Sequence, residues 1–134
     1  MANLIYPKAK EAFLQGSINL SSADVRFILV DLADYAYNAA HDFLDDIPVA
    51  ARVSVTAAGV GSKTFTDGTF DATDITFSTV TGDVSEAIVG YVHTGTEGTS
   101  RLLFILDTGV TGLPVTPNGG NINVAWNASG IFSL

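Results

Sequence analysis

The last fifty residues constrain the fold most, because short apolar runs alternate there with turn residues. Residues 86–93 and 101–107 are rich in aliphatic and aromatic side chains, and residues 121–126 alternate strictly between polar and apolar. Residues 94–100, 108–120 and 127–130 separate them with Gly, Thr, Pro and Asn, and residues 131–134 form a last apolar stretch. Short strands at this spacing, joined by such turns, indicate an antiparallel sandwich or barrel. The expected fold is mainly β: an antiparallel β-sandwich, jelly-roll-like, with a short N-terminal helix.

The earlier part of the chain supplies that helix and further strands. Pro7 suits a first helical turn, residues 8–15 are good helix formers, and Gly16 is placed as a stop. Ile5, Ala9 and Phe13 recur at helical spacing, giving one face that can dock on a sheet. Residues 25–32 are apolar on both faces and read as a central strand. Residues 34–41 read as a loop or irregular helix, and residues 41–47 as one helical turn pinned by Phe43, Leu44 and Ile47. Residues 52–56 alternate, with Val53 and Val55 expected inward, and residues 63–66 read as a short strand ending at the turn dipeptide Asp67-Gly68. Residues 74–80 make the next strand. Phe27, Leu29, Ile75, Phe77, Val89, Leu103, Ile105, Val124 and Trp126 are the expected core.

At 134 residues the chain is long enough for one domain with a real core. The expected division is residues 1–16 as a helical segment and residues 24–134 as the sandwich. A hydrophobic fraction of 47% argues against a mainly disordered protein. No apolar run approaches the roughly 20 residues needed to cross a bilayer, so no membrane partner is expected. The start lacks a basic stretch followed by an apolar one, and the expectation is synthesis in a cytoplasm. With no cysteine, disulfides and thiolate metal sites are excluded.

The formal net charge is −8, and the cations Lys8, Lys10, Arg26, Arg52, Lys63 and Arg101 are scattered. They form no basic stripe to neutralise phosphates, which argues against direct nucleic-acid binding. The acidic excess maintains solubility or complements a basic protein surface.

Candidate chemistry is sparse. His41 and Asp45 stand at helical i,i+4 spacing beside Asp42 and Asp46, but no third ligand is signalled. A polar loop with carboxylates at a helix start accounts for them. Asp67, Asp71 and Asp74 form a second acidic group that an oxygen-loving cation such as calcium would suit. The EF-hand spacing is missing, and turn-forming aspartates explain the group equally well. His93 ends a strand among threonines, and two histidines with no cysteine leave little material for a nucleophile and base. No catalytic residue, resident metal or cofactor is expected. Asn127 opens a glycosylation-type triplet, which carries no weight outside a secretory route. Trp126, Tyr35, Tyr37 and Tyr91 are candidates for sugar stacking or for core and interface packing.

Residues 8–14, 25–31, 43–48, 51–53, 67–77, 99–102 and 111–120 carry, in order, motifs that resemble a family of small virion-associated proteins of tailed bacteriophages. The resemblance covers nearly the whole chain, and its motifs are specific to the family and not to any chemistry. It implies a non-enzymatic structural component of the virion, made in the host cytoplasm. The leading expectation is a capsid decoration or cement protein that binds assembled major capsid protein and self-associates to clamp neighbouring capsomers. A tail, neck or fibre-associated virion protein is the alternative, followed by a carbohydrate-binding module for the host surface. Leu4, Ile5, Tyr6 and Phe13, in the segment 2–16, are the expected partner contacts, since a terminal arm facing only water needs less apolar surface.

Overall fold

The computed structural model describes residues 3–134. It is mainly β, with antiparallel sheets, one α-helix near the N-terminus among the described residues, and a sandwich-like arrangement. In chain order the elements are β1 (Leu4–Ile5), α1 (Pro7–Leu14), β2 (Val25–Val30), β3 (Arg52–Val55), β4 (Thr69–Phe70), β5 (Ile75–Phe77), β6 (Ala87–Val92), β7 (Leu102–Leu106), β8 (Ile122–Val124) and β9 (Phe132–Ser133). Five of them form the main sheet in the order β1-β7-β6-β2-β3; β4 pairs with β9, and β5 with β8.

The three central strands of the main sheet, β2, β6 and β7, are buried on both faces, as their apolar runs require. Phe27, Gly90 and Phe104 are paired across β2, β6 and β7, so they share one face. Over that face Phe27 meets Trp126 at 4.9 Å between ring centroids, and Phe104 meets Phe132 at 5.4 Å. The chain beyond β8 and the β4–β9 ribbon therefore make the second layer. Gly90 is the flat spot beneath it: a Cβ there would stand 2.4 Å from the Phe104 ring. On the opposite face Ile28, Val89 and Ile105 are also fully buried. Tyr35, Leu44, Ile47 and Ala51, from the segment between β2 and β3, belong to the same apolar cluster. All nine expected core residues are buried.

The N-terminal segment is part of this sandwich, which corrects the expectation of an outward-reaching arm. Leu4 and Ile5 pair with Ile105 and Phe104, and the Tyr6 amide donates to the Leu103 carbonyl at 3.0 Å. Tyr6 is fully buried, and Phe13 packs on Phe132 at 6.3 Å. The physical reason is the exposed edge of β7, whose free carbonyls and amides the segment satisfies. Met1 and Ala2, which begin the expected helical segment 1–16, lie outside the described residues, and Ala2 is also part of the expected contact segment. Helix α1 starts on Pro7 and stops before Gly16 at φ +71°, as its sequence signals. Its buried residues Ala9 and Ala12 are small.

Two smaller expectations also change. Val53 is half-buried and Val55 is 44% exposed, because β3 is the edge strand. Residues 63–66 do not form a strand; only Thr64 bridges Asp71, and residues Thr66–Gly68 coil into a short 3-10 turn. Lys63 is drawn aside, donating to the Ala23 carbonyl at 2.6 Å. Asp67 and Gly68 have φ of +52° and +78°, the successive left-handed pair that Asp-Gly supplies.

Candidate functional site

The polar groups that the sequence singles out are mostly consumed by the fold. His41 does not turn toward Asp45: its Nδ1 lies 2.8 Å from the Tyr35 hydroxyl, which lies 2.7 Å from the Tyr6 hydroxyl. Burial pushes Tyr35 up to about 12 and raises Tyr6 further. Asp42, Asp45 and Asp46 do converge, with ligand-type atoms within 4.8 Å of one another. Asp46 is already committed, accepting from the Asp42 amide at 2.8 Å and the Phe43 amide at 3.4 Å. Burial opposes its ionisation, but those amides and nearby His41 outweigh it and hold the carboxyl below the ordinary range. The arrangement is that of a carboxylate closing the start of the turn at Leu44–Asp46.

Asp67, Asp71 and Asp74 are not brought together as a ligand group among the described residues. Asp71 accepts from the Ala72 amide at 2.9 Å, Asp74 accepts from the Trp126 amide at 3.0 Å, and Asp67 shapes the turn. A different acidic trio, Asp31, Asp34 and Asp83, converges instead, and Asp31 accepts from the Ala33 amide. His93 donates its backbone amide to the Asp24 carbonyl at 2.7 Å, while its ring meets Tyr91 edge-on. Among the described residues, neither histidine hydrogen-bonds a serine or a carboxylate, the contact a nucleophile–base pair needs.

The aromatic candidates for sugar stacking are inside. Trp126 is 8% exposed and its indole N–H donates to the Thr73 carbonyl at 3.0 Å. Tyr35 and Tyr91 are buried, and Tyr37 packs on Tyr6 at 5.3 Å between centroids. They offer no pair of exposed coplanar rings.

What the fold does leave open is an apolar groove of about 380 Å³ at the β4–β9 ribbon. Phe13 from α1, Ile18 and Leu20 from the following loop, and Phe65, Phe70 and Phe132 line it. Phe70 and Phe132 hold its floor, with centroids 5.4 Å apart, and Phe65 stacks on Phe70 at 5.8 Å. Phe65 remains 43% exposed and Leu134, also on the groove, 69%. Of the four expected contact residues only Phe13 reaches this surface. Sequence reading missed the rest because they come from three distant stretches, each unremarkable alone.

A second unanticipated feature braces the far side. Arg52 donates to both Glu97 oxygens at 2.8 and 2.9 Å and to the Leu44 and Ile47 carbonyls. The guanidinium holds the exposed Glu97 carboxyl below the ordinary range. No spacing signal marks this pair, whose members are 45 positions apart.

No protein-family model matches the chain, and no curated protein matches it. No helix among the described residues is long and apolar enough to cross a membrane.

Proposed function

We propose that the chain is a non-enzymatic structural protein of a tailed-bacteriophage virion, a decoration or cement protein that docks on assembled major capsid protein. The observation that carries this reading is the open apolar groove with Phe65 and Leu134 exposed beside it. Apolar side chains left in water at one place on a small domain mark a surface that another protein covers. Aromatic anchors in such a groove supply most of an interface's binding energy. Repetition over a shell then turns a modest single-site affinity into stable attachment. The ordered family-like motifs along the chain support the virion setting.

The test is reconstitution. Particles lacking this chain are incubated with the wild-type protein or with Phe65→Ser, and bound copies are counted after sedimentation. Saturable binding over the shell by the wild type, weakened at least about tenfold by the substitution, supports the reading. Equal binding by the two proteins removes the groove from the mechanism, and attachment confined to the tail or neck makes this a tail-associated protein.

A further inference from the structure

We infer that Arg101 forms a second recognition point, a pocket that takes the carboxylate side chain of an Asp or Glu on the docked polypeptide. The chain carries 14 acidic residues against 6 Lys and Arg, so an arginine without a carboxylate is conspicuous. Arg26 is held by Asp24 at 3.0 and 3.1 Å, and Arg52 by Glu97. Arg101 has neither: among the described residues its guanidinium makes no hydrogen bond or ion pair. A guanidinium carries five N–H donors in a flat fork, which fits the two oxygens of a carboxylate.

The guanidinium is already placed. Its central carbon sits 4.3 Å from the centroid of the Phe43 ring, a cation–π contact that holds it over that ring. Phe43 is fixed in turn, since it bridges Arg101 through the backbone and is flanked by bonds from Leu44 N to Ser100 O and from Leu102 N to Asp42 O. Arg101 is half-buried in a cleft of about 380 Å³, walled by Ser17, Asn19, Thr94 and Thr99 as well as Phe43. The Thr94 and Thr99 hydroxyls are 2.7 Å apart, and both donate to the Thr96 carbonyl or to each other. That wall is cross-linked by its own hydrogen bonds.

Charge and shape select the ligand. One guanidinium in a protein of net charge −8 suits a monoanion better than a phosphate dianion. A sugar acid would want an aromatic face to stack on, and Arg101 already covers that of Phe43. Ala12, Ile18, Ala23 and Val92 in the same cleft suit the methylenes of an acidic side chain. The cleft and the apolar groove share Ile18 and Asn19, so a polypeptide lying in the groove passes the mouth of the pocket. The inference thus rests on the groove being a protein-docking surface, and it adds the charge of the partner.

The isolated protein tests it without particles. The backbone amide resonances of Ser17, Asn19, Thr94 and Thr99, which the wild type and the variant share, are followed by nuclear magnetic resonance as doubly capped glutamate is added, with capped glutamine and D-glucuronate as controls. Saturable shifts with capped glutamate, absent with glutamine and about tenfold weaker in Arg101→Lys, support the inference, since lysine keeps the charge and loses the fork. Folding of the variant is verified by its unchanged backbone spectrum. No shift by capped glutamate up to about 50 mM, an equal response to glutamine, or tighter binding of glucuronate overturns it. If this titration fails while Phe65→Ser still abolishes particle binding, the docking groove stands and only the acidic anchor is lost.

Discussion

The centre of the main sheet and the β4–β9 ribbon use aromatic residues in opposite ways. On β2 and β7, Phe27 and Phe104 are fully buried, each covered by a ring from the second layer. On the ribbon side, Phe65 stacks on Phe70 yet stays 43% exposed, and the groove beside it remains open. A buried ring fixes the fold, whereas a half-covered ring contributes less to it. Under the proposed function the contrast separates stability from docking, and substitutions should divide the same way.

The largest effect should come from removing the segment 1–14. Its strand satisfies the edge of β7, and Tyr6 is fully buried, so the shortened chain should fail to fold, seen as loss of dispersed backbone resonances. A folded deletion would restore the outward-arm reading. Next, Phe104→Ala should cost about 3–5 kcal/mol in denaturant unfolding, because it empties the space between Gly90 and Phe132. A cost near zero would mean that the two layers do not share this contact.

Alkali should act on the same buried side. Tyr35 and Tyr6 have folded values raised above the ordinary value of about 10, so their contribution is complete below that pH. It is lost as pH rises through about 12, the folded value of Tyr35. Unfolding followed by phenolate absorbance should therefore move to higher pH in Tyr6→Phe, provided the variant folds. Acid acts more weakly. The folded value of Glu97 is depressed, so its pair with Arg52 contributes above the ordinary carboxylate range and is lost as pH falls below it. Glu97 is half exposed, and Glu97→Gln should cost about 1 kcal/mol or less at neutral pH, and less in high salt.

The groove should cost far less than the core. Phe65→Ser removes a half-covered ring stacked on Phe70, so it should lower unfolding free energy by about 1–2 kcal/mol while removing docking. A cost as large as that of Phe104→Ala would erase the distinction between the two regions.

The sheet centre was legible because burial on both faces leaves a direct mark, an unbroken apolar run such as residues 27–30 or 102–106. The helix was legible from Pro7 and Gly16, and the turn from Asp67-Gly68. Edge effects were not: Val55 alternates as an inward residue does, and only the sheet order makes it an outer one. The N-terminal residues were misread for a related reason, since apolar side chains look alike whether they close their own sheet or await a partner. The groove and the Arg101 pocket were invisible because each is assembled by loops remote in sequence. Phe13, Phe65 and Phe132 meet only after the ribbon has folded onto the sheet.

The most direct test of the account is electron cryomicroscopy of particles that carry this chain. Copies should be distributed over the outside of the shell, with Phe65, Phe70 and Phe132 covered by major capsid protein. Copies on the shell with that groove open to solvent, or copies confined to the tail, would contradict it.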